Sequence, residues 1–97
     1  MIDWGTSEAL AFATLIDEGY HVRLSGQDVE RGTFSHRHAH VFKQDRDGFI
    51  IPINNAKPDQ GVRQLIASNS HLSEFAVLGY EYGYSTANPN TLSIWEA

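Results

Sequence analysis

The beginning of the chain constrains the fold most strongly, because a helical pattern there leads through a tight turn directly into a strand pattern. Apolar and small residues follow a helical period over 4–17, and Gly19 is a natural C-terminal stop. Residues 21–25 then alternate as a strand does. A helix that runs straight into a strand is half of a parallel-sheet unit, so this pattern predicts an α/β fold. One face of the helix is formed by Leu10, Ala11, Ala13, Thr14 and Leu15.

The rest of the chain continues this succession of strands and helices. The predicted elements are a loop over 26–48, a short extended piece over 49–53, a strand over 64–69, a helix over 73–84 and a strand over 91–95. One face of the second helix is shared by Phe75, Leu78, Gly79 and Tyr82. Together these elements predict a partial parallel sheet flanked by helices. Since the sequence stops within the last predicted strand, we expect residues 1–97 to be part of a domain truncated at its C-terminus.

Size and composition narrow the functional classes. The 97 residues make one small domain or part of a larger one. The formal net charge of −5 argues against nucleic-acid binding, which rests on clustered Lys and Arg. The sequence has no cysteine, which excludes disulfides and thiolate chemistry, and no apolar run near the roughly 20 residues of a membrane helix. We therefore expect neither a nucleic-acid nor a membrane partner.

A polar run, R-L-S-G-Q-D-V-E-R-G-T-F-S-H-R-H-A-H over residues 23–40, follows the first predicted strand. Loops at strand ends are where α/β proteins place their chemistry. His36, His38 and His40 alternate, which on an extended segment puts three imidazoles on one side, as in a metal site. The run lacks cysteine and its carboxylates alternate with arginines, so we assign no metal ligand and favour a polar loop. A third interpretation is that His36 and His38 face an anionic substrate or cofactor.

Glu74 stands at the start of the second predicted helix, before a run of apolar and small residues. A carboxylate in a first helical turn interacts favourably with the helix dipole, with Ser73 or Ser70 as the cap. The same position lies at a strand-to-helix junction, where ligands bind in parallel sheets. A partly buried Glu74 would hold a proton and hydrogen-bond a heterocycle. Spacing alone leaves both roles open.

Several segments resemble a known family in the same order along the chain. R-L-S-G-Q-D-V-E-R-G-T-F-S-H-R-H-A over 23–39 and N-S-H-L-S-E-F-A-V-L-G-Y-E-Y-G-Y over 69–84 are similar to the thiamine-diphosphate-dependent component of the 2-oxoglutarate dehydrogenase complex. D-W-G-T-S-E-A-L-A-F over 3–12 and N-P-N-T-L-S-I-W-E-A over 88–97 fit the same family. The resemblance therefore covers nearly the whole chain.

This resemblance implies a fold, an activity and a cofactor. Residues 1–97 would be the first part of a transketolase-like pyrimidine-binding domain. The family decarboxylates 2-oxoglutarate with thiamine diphosphate in the tricarboxylic acid cycle and passes the succinyl group to a lipoyl-bearing succinyltransferase. The cofactor lies at a homodimer interface, with its diphosphate held through magnesium by another domain. Location would be the mitochondrial matrix in a eukaryote or the cytoplasm in a bacterium.

The resemblance also implies site residues. The Glu of L-S-E, here Glu74, would be the catalytic carboxylate that hydrogen-bonds the cofactor pyrimidine at the ring nitrogen opposite the amino group. Leu72 would line the pyrimidine pocket. For His36 and His38 the resemblance implies no role, and two alternatives stay open: a position near the active-site channel, close to the substrate, or stabilisation of the loop. His71 departs from the small residue or Pro expected there, which puts the local loop shape in question.

What the sequence lacks limits these expectations. The G-D-G motif for magnesium and diphosphate is absent, so the metal ligands are expected outside the 97 residues. We expect the isolated chain to be inactive. Two alternatives stay open from the sequence: a closely similar component that acts on 2-oxoadipate, and a non-catalytic fragment that pairs with a full-length subunit.

Overall fold

A computed structural model describes residues 1–58 and 61–97 of the chain and shows two helices packed on a parallel sheet. In chain order the elements are α1 (Trp4–Glu18), β1 (His21–Gly26), β2 (Val41–Phe42), β3 (Phe49–Ile50), a 3₁₀ helix (Pro52–Asn55), β4 (Leu65–Asn69), α2 (Glu74–Ala87) and β5 (Thr91–Glu96). The main sheet has the order β4-β1-β5, and both pairings are parallel. The predicted α/β fold with a parallel sheet flanked by helices is therefore confirmed.

Helix α1 has a well-defined cap at each end. The Asp3 carboxylate accepts the Thr6 N–H at 2.8 Å, and this contact with the Thr6 backbone and hydroxyl lowers the pKa of Asp3. Gly19 ends the helix in the left-handed conformation, with φ of 106°. Large apolar side chains four residues apart, Phe12 and Ile16, form the buried stripe. Of the predicted face, Leu15 packs against this core and Ala13 is half-buried, whereas residues 10, 11 and 14 are exposed because the bulkier Phe12 and Ile16 face the sheet.

The hydrophobic core lies between α1 and one face of the sheet. Strand β1 is central, and its Val22 and Leu24 point to this face, with Leu65 and Ala67 beside them on β4. The cluster comprises Phe12, Ile16, Val22, Leu24, Val29, Ala39, Leu65 and Ala67. Alternation along a strand then directs Arg23 to the opposite face, which is covered by α2.

Helix α2 buries few of its side chains. Ser73 caps it by accepting the Ala76 N–H, and its buried residues are Val77 and Glu81. The predicted shared face is largely exposed, with Phe75 at 89% and Tyr82 at 72%. In the described part of the chain, no helix is both long and apolar enough to span a membrane.

A small antiparallel hairpin begins within the region predicted as a loop. Strands β2 and β3 pair, and residues 43–48 join them, with the Lys43 N–H donating to the Gly48 carbonyl at 3.0 Å. The extended piece predicted over 49–53 ends early because Pro52 begins the 3₁₀ helix, where its fixed φ is favourable.

Gly26 marks a point where three segments meet, and it provides a test of the fold. A Cβ at this position would lie 2.1 Å from the Glu96 carbonyl oxygen and 3.0 Å from Val29 Cγ1. We expect Gly26→Ala to lower the free energy of unfolding by about 2 kcal/mol, as overpacking does. Gly79→Ala is the control, since nothing lies within 4 Å of its Cβ position and alanine favours helix. Chemical denaturation measures the free energy of unfolding of each variant. An equal decrease for both variants would contradict the close approach of the Glu96 carbonyl to Gly26.

Candidate functional site

The carboxyl ends of β1, β4 and β5 meet at one edge of the sheet, where several polar groups converge. The Ser70 N–H, just after β4, donates to the Gly26 carbonyl at 2.8 Å. The Ser70 hydroxyl accepts the Leu72 N–H at 3.2 Å. These bonds fix the short segment between β4 and α2, so that α2 begins at this edge. In open parallel sheets, this is the edge where ligands bind.

Glu74 and Leu72 both lie on this edge and face solvent. Glu74 is the first residue of α2, and Leu72 is 54% exposed. The partial burial considered for Glu74 is not observed: the residue is exposed. Within residues 1–58 and 61–97, its carboxylate has no hydrogen-bond or ion-pair partner. A carboxylate at a helix start that is free of internal partners is available to an external group.

Arg37 joins three separate parts of the chain across the same edge. Its guanidinium donates to both carboxylate oxygens of Glu8 on α1, at 2.6 and 3.0 Å. It also binds the Glu96 carboxylate at the end of β5 and donates to the Val29 carbonyl at 2.7 Å. Burial alone would lower the pKa of this guanidinium, but hydrogen bonds and charges from the two carboxylates outweigh it and raise the pKa above its usual value. The side chain is 5% exposed, so Arg37 is an internal bridge.

The loop that carries Arg37 is held in an unusual backbone conformation. The Arg31 carbonyl accepts both the Arg37 and the His38 N–H groups, at 2.9 and 3.1 Å. His38 has φ of 45°, which is uncommon for a residue other than glycine. Gly32 packs directly beneath His36, since a Cβ there would lie 2.4 Å from the ring. The loop is therefore shaped by close contacts and backbone hydrogen bonds.

The three alternating histidines do not converge. His36 lies beside the bridge, with Nε2 at 3.2 Å from Arg37 Nη2, whereas His38 is exposed. The His40 ring stacks on Phe49 at 4.0 Å between centroids, and its Nδ1 is 3.1 Å from Glu30. Alternation places side chains together only on an extended segment, and the left-handed turn at His38 interrupts that geometry.

A different trio, Glu8, His36 and Glu96, has ligand-type atoms within 4.8 Å of one another. Both of these carboxylates bind the Arg37 guanidinium, which already supplies their positive charge. With one cation shared by two carboxylates, the cluster is an ionic bridge between elements.

A second buried arginine, which sequence analysis did not single out, lies on the other face of the sheet. Arg23 binds Glu81 through three contacts of 2.9–3.1 Å. Its guanidinium lies 4.7 Å from the Tyr84 ring centroid and 5.4 Å from that of Tyr80. Two tyrosines of α2 therefore pack on a cation. The only sequence signal was a glutamate inside an otherwise apolar helix, 58 residues from its partner.

The Arg37 bridge predicts a large loss of stability when its cation is removed. We expect Arg37→Met to lower the free energy of unfolding by about 3 kcal/mol, because two largely buried carboxylates would face each other. Arg37→Lys should retain part of the stability. Lysine keeps the positive charge but lacks the planar guanidinium, which donates several hydrogen bonds at once.

Arg31→Met is the matched control, because its pair with Asp28 is exposed on both sides, at 49% and 70%. Such a pair contributes at most about 1 kcal/mol. Denaturant titrations that give the same loss for Arg31→Met and Arg37→Met would contradict a bridging role for Arg37.

Comparison with known proteins agrees with the geometry of this edge. The family described as "Transketolase, pyrimidine binding domain" matches residues 1–97. The chain is 56% identical over 96 residues to the mitochondrial 2-oxoglutarate dehydrogenase of Schizosaccharomyces pombe. It is 55% identical over 96 residues to the 2-oxoglutarate dehydrogenase E1 component of Brucella anthropi. In both comparisons 99% of the chain is matched, and it spans 9% of the length of each relative.

These matches confirm the resemblance identified from the sequence motifs. They cover the strands, both helices and the polar run together, which is the whole arrangement that forms the edge. The chain belongs to the family of transketolase pyrimidine-binding domains.

Proposed function

We propose that this chain is the pyrimidine-binding part of a 2-oxoglutarate dehydrogenase E1 component. The complete enzyme would decarboxylate 2-oxoglutarate with thiamine diphosphate and pass the succinyl group to a lipoyl-bearing succinyltransferase. Identity of 55–56% to proteins of that name supports this substrate over 2-oxoadipate and over a non-catalytic role. The observation that carries the proposal is Glu74, an unpartnered carboxylate at the first turn of α2 on the ligand-binding edge.

The residues at this edge fit an aminopyrimidine ring. A cleft between β4 and α2 is lined by Leu72 and Val77, which offer apolar surface, and by Ser70 and His71, which offer polar groups. Glu74 begins the helix beside this cleft and would hydrogen-bond the ring nitrogen opposite the amino group. Covering the carboxylate with a ring would remove it from water and favour a proton shared with that nitrogen. Thiamine diphosphate, when bound, supplies the electron sink for loss of carbon dioxide.

The rest of the cofactor site would come from other parts of a longer protein. The chain spans 9% of each relative and lacks the G-D-G motif, so magnesium and the diphosphate would be held elsewhere. The exposed apolar residues of α2, Phe75 and Tyr82 among them, suit contact with a second subunit in a homodimer. Residues 1–97 would then be a partial domain, located in the mitochondrial matrix of a eukaryote or the cytoplasm of a bacterium.

His36 and His38 remain candidates for positions near the substrate. His38 is exposed and lines a cleft with Asn69, the last residue of β4, and the Arg37 bridge fixes the chain beside it. An imidazole there would offer a ring N–H to a carboxylate of a 2-oxo diacid. We propose His38 as the nearer of the two, because His36 packs inward beside the bridge.

Removal of the Glu74 carboxylate tests the proposal directly. In the full-length enzyme we expect Glu74→Ala to lower kcat at saturating thiamine diphosphate by about a hundredfold or more, the contribution of a positioned proton-transfer group. Glu18→Ala is the control, since this exposed carboxylate ends α1 at the opposite edge of the sheet. Near-normal turnover by the Glu74 variant, with unchanged circular dichroism, would sink the assignment.

The isolated chain provides a second test. We expect calorimetry to detect no thiamine diphosphate binding by residues 1–97 up to millimolar concentration, because the diphosphate and metal ligands are missing. The full-length enzyme with magnesium serves as the positive control. A micromolar dissociation constant for the isolated chain would show that the site is complete within it.

A further inference from the structure

Helix α2 packs along β1 and β5 but buries only two of its side chains. These are Val77 and Glu81, at 3% and 4% exposure, while its larger apolar side chains face solvent. Arg23 and Ser25 of β1 lie on the sheet face beneath it. By register, the half-buried Ile66 of β4 and Trp95 of β5 lie beside them. Apolar burial is non-directional, so it does not by itself fix the rotation of α2 about its axis.

The Arg23–Glu81 pair supplies the directional contact that this face otherwise lacks. Arg23 Nε donates to both Glu81 oxygens, at 3.1 and 2.9 Å, and Nη2 donates to Oε1 at 2.9 Å. A planar guanidinium that binds a planar carboxylate through two N–H groups restricts the angle between the two groups as well as their distance. The rings of Tyr80 and Tyr84, which lie next to each other, contact the guanidinium as well. The hydrogen bond to Glu81 raises the pKa of Arg23, in keeping with a strong contact.

Glu74 shares the face of α2 that carries Glu81. The two residues are seven positions apart, which corresponds to two turns and leaves them within about 20° of each other around the axis. Val77 lies between them on the same side, in contact with the sheet. Any rotation of α2 about its axis would therefore change the direction of Glu74 by the same angle.

We propose that the buried Arg23–Glu81 pair is a positioning device that sets the rotation of α2 and thereby aims Glu74 at the cofactor pyrimidine. The inference rests on the proposed role of Glu74. Arg23 and Glu81 also line the cleft assigned to the ring, but in this proposal Arg23 acts through Glu81 and the rotation of the helix, not through contact with the cofactor.

The test measures thiamine diphosphate dissociation constants and kcat in the full-length enzyme with magnesium. We expect Arg23→Met to weaken cofactor binding by about tenfold and to lower kcat, with a smaller loss for Arg23→Lys. Val22→Ala is the matched control, because Val22 precedes Arg23 on the same strand but is buried on the α1 face. It should lower the melting temperature while leaving cofactor affinity and kcat unchanged.

A double-mutant cycle separates positioning from a general loss of stability. If Arg23 acts through Glu74, Arg23→Met should change cofactor affinity less than twofold when Glu74 is already alanine. The same tenfold weakening in both backgrounds, or an equal effect of Val22→Ala, would overturn the inference. If Arg23→Met fails to fold, Arg23→Lys and Glu81→Gln replace it. Each is combined with Glu74→Ala and judged by the same changes in cofactor affinity.

The cycle also distinguishes the two proposals. A defective Glu74→Ala enzyme combined with normal Arg23 variants would leave the proposed function intact and refute the positioning role. Normal cofactor affinity and turnover in Glu74→Ala would instead refute the proposed function itself.

Discussion

The period-two alternation of β1 is the constraint on which the rest of the structure depends. As the central strand it pairs with β4 on one side and β5 on the other, and its side chains serve two unlike layers. Val22 and Leu24 complete the apolar core against α1, whereas Arg23 meets the buried carboxylate of α2. At its end, Gly26 has no side chain, which lets the last residue of β5 approach. A shift of this strand by one residue would turn each of its side chains to the opposite face of the sheet. The apolar residues would then face α2 and Arg23 would face the core, so both layers would be lost.

Stability and orientation come from different interactions in this molecule. Full burial of side chains such as Leu24 and Leu65 contributes about 1.5–3 kcal/mol each, and the α1 face collects most of these contacts. The buried arginine pairs add less net free energy, because desolvation offsets much of their attraction. Their geometry is nevertheless specific. Arg37 fixes the polar loop against α1 and β5, and Arg23 fixes α2, so the two pairs together define the edge of the sheet.

Much of the fold could be predicted from the sequence, but less of the site. Helices and strands were found within a few residues, since their patterns are local; the two-residue strands of the hairpin are too short to produce a period. The buried faces of the helices were missed because α2 is apolar on several sides and because nothing local indicates that Glu81 is buried. Arg37 and Arg23 meet partners 29–59 residues away, which only the tertiary structure brings together. The role of Glu74 came from resemblance, since a carboxylate at a helix start has an equally good structural explanation.

The three-stranded sheet has a further consequence for how this chain behaves among other chains. In the part of the chain that the structure describes, β4 and β5 each pair with another strand on one side only. Backbone N–H and C=O groups therefore face outward, except at Leu65, whose two groups bind the Asn54 side chain. Such open edges accept additional strands, and parallel sheets are normally covered. In a longer protein, further strands of the same chain would pair with these edges and extend the sheet. In a cell that made residues 1–97 alone, the same edges would recruit unrelated chains, and aggregation would compete with folding.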